Sequence, residues 1–193
     1  MDVSFHRYDG RAYSALARRG DGVSVRLDGS SYDRSQPPLP HDLAHFVVED
    51  ELKLTAGLWG VIAAGGLFAQ VSVVAGRQRP HAAERGREVI KRAGDRISTA
   101  EVLVRVLGEI ARAGEERSPA VVDRIPGRRR PQDLGPQDVQ RTCERLRQAA
   151  RQWSAVAHGE SLDLVWSAPL DASLAGRPHE TRRKRRAGSG SRR

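Results

Sequence analysis

Apolar and polar residues alternate in three short stretches at the start of the chain. Val3 and Phe5 stand between polar residues, residues 13–17 continue the period of two, and residues 23–27 repeat it after a Gly-Asp-Gly turn. A period of two is typical of strands with one buried face. Because three short strands need a covering layer on their apolar side, we predict an antiparallel meander over residues 2–28 that packs against helices.

Most of the remaining chain has apolar residues at helical spacing or helix boundary signals. The Ser-Thr-Ala-Glu sequence at residues 98–101 predicts a capping box that opens one helix. Residues 67–75 fit a helix or a buried strand equally well. The predicted helices cover residues 40–54, a short stretch after Gly57, residues 82–94, residues 98–114 and a final helix that begins at Pro136.

Residues 162–166 alternate again and predict a last strand that joins the N-terminal meander. The expected fold class is therefore α+β, with a small antiparallel sheet covered by four or five helices. We expect residues 1–170 to form this single domain and residues 171–193 to form a disordered basic tail.

The positive charge of the chain is concentrated at its end. Residues 177–193 hold eight Arg and Lys residues against one Glu, which accounts for +7 of the net charge of +9 over 193 residues. Such a run can neutralise phosphates, but it has no aromatic residue for base stacking. We therefore expect at most nonspecific nucleic-acid binding, through a cluster that consists of Arg182, Arg183, Lys184, Arg185 and Arg186.

Cysteine usage and hydropathy bear on the compartment. Cys143 is the single cysteine, so no intramolecular disulfide forms, and the first residues lack the apolar run of a signal peptide. Residues 54–76 carry no charge, but their glycines and polar residues make insertion into a bilayer weak. We predict a cytoplasmic protein without a membrane span.

Candidate chemistry is concentrated at the start of the first predicted helix. His41 and His45 are one helical turn apart, a spacing that lets two imidazoles reach one metal ion, and Glu49 follows one turn later. We predict that these three residues bind zinc or another divalent transition metal. Since three ligands from one helix would be strained, a ligand from another element can replace Glu49, and Asp42 or Glu49 can then orient a ligand or act as a base.

Two resemblances involve the same helix. The sequence His-Asp-Leu-Ala-His at residues 41–45 resembles the His-Glu-x-x-His signature of zinc metallopeptidases, with Asp42 at the position of the general base. Residues 39–49, Leu-Pro-His-Asp-Leu-Ala-His-Phe-Val-Val-Glu, together with Gly-Leu-Trp-Gly at residues 57–60, also resemble a segment of uncharacterised bacterial proteins. The first resemblance implies metal-dependent hydrolysis with Asp42 as a catalytic residue, and the second implies that the helix is a family feature.

Other interpretations of the same residues stay open. His41 and Asp42 can simply occupy a helix start, and His45 with Glu49 can be an ordinary surface pair or an acid-base pair without a metal. The chain has no Ser-His-Asp motif, no Gly-rich phosphate loop and no Cys-x-x-Cys pair. The favoured function is therefore a metal-binding domain, with metal-dependent hydrolysis as one form of that function. The alternative is a non-enzymatic interaction protein that binds nucleic acid nonspecifically through its tail.

Overall fold

One antiparallel sheet of five strands forms the first layer of the molecule. The computed structural model describes residues 1–8, 12–29 and 39–174. The strand order is β4-β3-β2-β1-β5, and all four neighbouring pairs are antiparallel. The strands are β1 (Asp2–Arg7), β2 (Tyr13–Arg18), β3 (Ser24–Gly29), β4 (Val71–Ala75) and β5 (Ser161–Val165).

Helices form the second layer of the molecule, and all but the third of them share one apolar core with the sheet. They are α1 (His41–Glu51), α2 (Leu58–Ala63), α3 (Ala82–Ala93), α4 (Asp95–Ala113) and α5 (Pro136–Ala155). The predicted α+β fold is thus confirmed, including the N-terminal meander and the pairing of the last strand with β1. Residues 67–75, which the pattern left open, contain the edge strand β4.

The period of two in the first strands has the expected structural consequence. Val3 of β1 faces Ala17 of β2, Ala17 faces Val25 of β3, and all three side chains are buried. The ring of Phe5 packs edge-to-face against Phe46 of α1, with ring centroids 6.0 Å apart, and likewise against Trp59 of α2 at 5.6 Å. These aromatic contacts fix the start of α2 and the middle of α1 over the sheet.

Helix α1 is surrounded on several sides, which the sequence pattern did not indicate. It packs against α2, α4 and α5 as well as contributing Leu43 and Phe46 to the main core. Consequently its polar residues His45, Glu49 and Asp50 are buried. The helical pattern of the sequence shows one apolar arc but not how many neighbours a helix has, so it did not indicate that these polar residues are buried.

Helix α4 begins earlier than its capping box predicted. Gly94 has a positive φ of 52° and separates α3 from α4, which starts at Asp95. The hydroxyl of Thr99 donates to the carbonyl of Asp95 at 3.2 Å, inside the helix, so residues 98–101 are not the helix start. As a result Glu101 lies in the second turn of α4, on a helix that packs against α1.

The packed chain continues past residue 170. Leu174 is 0% exposed in a small apolar cluster with Ala56, Val61 and Val89, and Arg96 binds Asp171 at 2.8 Å. The packed residues therefore reach at least Leu174, whereas the division of the chain into one domain and a tail stays a prediction. In the part of the chain that the structure describes, no helix is long and apolar enough to cross a membrane.

Candidate metal centre

Two histidines are placed on neighbouring turns at the N-terminus of α1. Pro40 precedes the helix with a φ of −53°, a value its ring favours, and His41 is the first helical residue. The rings of His41 and His45 lie 4.6 Å apart between centroids, at an angle of 81°. The His41 side chain is 54% exposed whereas that of His45 is 1% exposed, so the pair runs from solvent into the protein.

Glu101 of α4 completes a group of three possible ligands. Its Oε2 atom lies 3.5 Å from Nε2 of His41 and 3.3 Å from Nε2 of His45. Two ligand atoms that each lie 2.0–2.1 Å from a tetrahedral zinc ion are about 3.3 Å apart, so both distances are close to those of a zinc site. One possible ligand atom from each of the three residues lies within 4.8 Å of the other two.

The second ring nitrogen of His45 has its own carboxylate partner. Nδ1 of His45 lies 2.8 Å from Oε1 of Glu49, and Glu49 is 0% exposed. An ionised carboxylate only accepts hydrogen bonds, so the network assigns the donor hydrogen to Nδ1. Nε2 therefore faces Glu101, but outside hydrogen-bond geometry, and it has no hydrogen-bond partner among the described residues.

Glu49 is held in turn by the start of α2. The backbone N–H of Leu58 donates to Oε1 at 2.8 Å, and that of Trp59 donates to Oε2 at 2.9 Å. These groups belong to the first turn of a helix, where backbone N–H groups have no partner within the helix. The carboxylate of Glu49 thus joins the ring of His45 to the N-terminus of α2.

The charges around His45 determine its proton affinity without a metal. Burial lowers the pKa of His45, but the flanking carboxylates of Glu101 and Glu49 more than offset it and raise the pKa to about 9. His41 and then His45 hold the pKa of Glu101 well below its usual range, against the opposing effect of burial. At neutral pH the metal-free site therefore holds an imidazolium between two carboxylates.

Asp42, predicted as a catalytic base, has partners elsewhere. Its Oδ2 atom accepts a hydrogen bond from the hydroxyl of Tyr13 at 2.9 Å, and its backbone carbonyl accepts one from the indole N–H of Trp59 at 2.8 Å. These contacts join α1 to β2 and α2. Within the described part of the chain, Asp42 is not a member of the group of close ligand atoms.

The structure thus assembles the predicted residues in a different arrangement. His41 and His45 lie together as the spacing predicts, Glu101 approaches both from α4, and Glu49 contacts the far side of the His45 ring. The pair of His45 and Glu49 is buried, so the surface-pair interpretation is wrong. No spacing rule connects Glu101 to the two histidines, because they meet only when α4 packs on α1.

The Arg-rich cluster of residues 182–186 lies outside the described residues, so its predicted role stays a prediction. Comparison of the chain with protein-family models, with curated proteins and with solved structures found no match. A function is therefore inferred from the geometry of the residues themselves.

Proposed function

We propose that this protein binds one divalent transition metal ion, with zinc as the first choice, through His41, His45 and Glu101. Two imidazoles and one carboxylate form a common ligand set for such ions. The observation that carries the proposal is the Nε2 atom of His45, which is buried and lacks a hydrogen-bond partner among the described residues. A metal ion would take the lone pair of Nε2 once the proton has left.

The surroundings of the three residues support a metal rather than a simple ion pair. Histidine ligands usually donate their other ring N–H to a carboxylate or carbonyl, as His45 does to Glu49. Both contacts of Glu101 match the spacing of ligand atoms around a tetrahedral ion. An isolated ion pair requires neither feature.

The exposure of two ligands suggests how the site would work. The side chains of His41 and Glu101 are both about half exposed, so the solvent reaches one side of the group. Three protein ligands leave a fourth position for water, and zinc lowers the pKa of such a water to about 7. The proposal therefore includes metal-dependent hydrolysis. A role of Asp42 as the base stays a prediction, and its Oδ2 atom accepts a hydrogen bond from Tyr13.

Elemental analysis of protein purified without a histidine tag tests the binding function. We expect one metal ion per chain after incubation with zinc and removal of the excess, and none in the His41→Ala and His45→Ala double variant. His81→Ala is the matched control, because His81 contacts Glu84 at 2.8 Å on an exposed helix start and, within the described residues, belongs to no group of three close ligand atoms. Absence of bound zinc in the wild type, or equal zinc in the double variant, would refute the proposal.

The charge distribution favours a second, independent function for the tail. Because +7 of the net charge lies in residues 177–193, we propose weak, nonspecific nucleic-acid binding by this segment. Truncation after Gly176 retains the buried Leu174 and should abolish binding at low salt without a change in stability. Binding that persists in the truncated protein and varies little with salt would place the interaction on the folded domain.

A further inference from the structure

We propose that Glu49 and Gly57 form a positioning pair that controls metal affinity at His45 from the junction of α1 and α2. This inference rests on the proposed metal site. Of the roles that the sequence suggested for Glu49, it selects the orientation of a ligand, and it gives a glycine outside the ligand set an effect on metal binding.

Across the described ranges of the chain, every close polar partner of the Glu49 carboxylate is a donor. Oε1 accepts from the N–H of Leu58 and faces Nδ1 of His45, both at 2.8 Å, and Oε2 accepts from the N–H of Trp59 at 2.9 Å. A carboxylate accepts all of these bonds because it carries no hydrogen. A glutamine amide presents two N–H groups on one side, so at least one of these donors would face another donor.

The donor environment decides which nitrogen of His45 is available. With Glu49 ionised, the ring hydrogen stays on Nδ1, and in the neutral ring Nε2 carries the lone pair that faces His41 and Glu101. In Glu49→Gln the amide N–H can instead donate to Nδ1, which moves the ring hydrogen to Nε2. A hydrogen at Nε2 blocks the metal, so the variant loses affinity even with all three ligands present.

Gly57 leaves space for the Glu49 carboxylate because it has no side chain. A Cβ at residue 57 would lie 2.3 Å from Cδ of Glu49 and 2.5 Å from each carboxylate oxygen, and these are its three nearest atoms. The φ of Gly57 is −82°, a value that alanine adopts readily, so backbone conformation does not oppose the substitution. Gly57→Ala is therefore a displacement of the Glu49 carboxylate that leaves its chemistry intact.

Zinc affinity measured by calorimetry on the full chain tests the inference. We expect Gly57→Ala and Glu49→Gln each to bind zinc about 10- to 100-fold more weakly than the wild type, the range seen when a group that orients a ligand is removed. Gly108→Ala in α4 is the control, since its Cβ would meet only a guanidinium nitrogen of Arg112 at 3.9 Å. This variant should bind zinc within twofold of the wild type.

A nitrogen NMR spectrum of the His45 ring in the zinc-loaded wild type gives a second readout that a purely structural role of Glu49 would not produce. We expect zinc on Nε2 and the hydrogen on Nδ1, and zinc on Nδ1 would overturn the inference even where a variant fails to fold. If both variants bind zinc within twofold of the wild type, the positioning pair is refuted while the metal site stands. If the wild type itself binds no zinc, the proposed function fails first.

Discussion

Glu49 and Asp50 are consecutive buried carboxylates on α1, yet their surroundings differ in kind. Oδ1 of Asp50 accepts from the backbone N–H of Ser167 at 2.8 Å and from its hydroxyl at 2.9 Å, and also from the N–H of Ala168. Oδ2 faces Arg145 at 3.4 Å. Glu49 is equally well supplied with donors, but one of them is His45, whose other nitrogen faces the half-exposed Glu101.

The difference separates a structural carboxylate from one connected to a possible ligand site. Burial raises the pKa of Asp50, but the donors of Ser167, together with Lys53 and Arg145, lower it further than burial raises it. That network ends in groups that already have partners and ties α1 to the segment after β5. The Glu49 network ends instead at Nε2 of His45, which lies 3.3 Å from the half-exposed Glu101 and has no hydrogen-bond partner in the described part of the chain. A metal ion of the kind proposed above would give this nitrogen a partner.

The largest effect expected from this comparison is a loss of stability without a loss of metal binding. Asp50→Ala leaves the N–H groups of Ser167 and Ala168 without their acceptor and should lower the free energy of unfolding by about 3 kcal/mol. Its zinc affinity should stay within twofold of the wild type. Urea unfolding and calorimetry measure the two quantities. A large drop in zinc affinity in the folded variant would show that the two networks are not separate.

Zinc binding should itself stabilise the protein by a similar but smaller amount. At a free zinc concentration one hundred times the Kd, a ligand that binds only the folded state adds about 2.7 kcal/mol to the free energy of unfolding. We expect this gain in the wild type and in Asp50→Ala, but not in the double variant His41→Ala and His45→Ala. Urea unfolding with and without zinc measures it, and an equal gain in the double variant would place the zinc elsewhere.

The smallest effect is a pH dependence of the metal-free protein. The pKa of His45 rises from 6.5 to about 9 on folding, so its ion pairs stabilise fully below pH 6.5 and lose their contribution as the pH rises through 9. Because Glu101 is half exposed, the effect of its ion pairs is small. We expect the free energy of unfolding of the wild type to exceed that of Glu101→Gln by only about 1 kcal/mol at pH 6 and by nearly nothing at pH 10.

Urea unfolding at both pH values in the presence of a chelator measures this difference. Glu109→Gln on the same helix is the control, because Glu109 contacts Arg105 and, over the residues that the structure describes, forms no ion pair with a histidine. Its stability relative to the wild type should not change with pH between the two values. A constant difference for Glu101→Gln would contradict the coupling of Glu101 to His45.

Local sequence patterns predicted the fold well because each strand or helix with one buried face has a matching period of apolar residues. The period of two in β1 to β3 comes from one buried sheet face, and the start of α5 at Pro136 follows from the preference of proline for the first helical turn. Strand β4 gave no decisive pattern, because it lies at the sheet edge with only Val71 fully buried. An edge strand with little burial has weak alternation.

The site was only partly predictable for a related reason. The spacing of His41 and His45 is a property of one helix, and it predicted that their two rings lie together. The approach of Glu101 and the donors from Leu58 and Trp59 depend on how α4 and α2 pack on α1, which no local pattern encodes. Glu101 stood in an apparent capping box, so its local sequence suggested a different role.

Zinc affinity of Glu101→Gln is the most direct test of the central claim, that residues from α1 and α4 bind one metal ion. The variant removes the ligand that α4 contributes, and Glu109→Gln makes the same chemical change two turns further along the helix. The account predicts that Glu101→Gln binds zinc more than about 100-fold more weakly than the wild type, beyond the range of a group that only orients a ligand, while Glu109→Gln binds normally. Wild-type affinity in Glu101→Gln would contradict the claim.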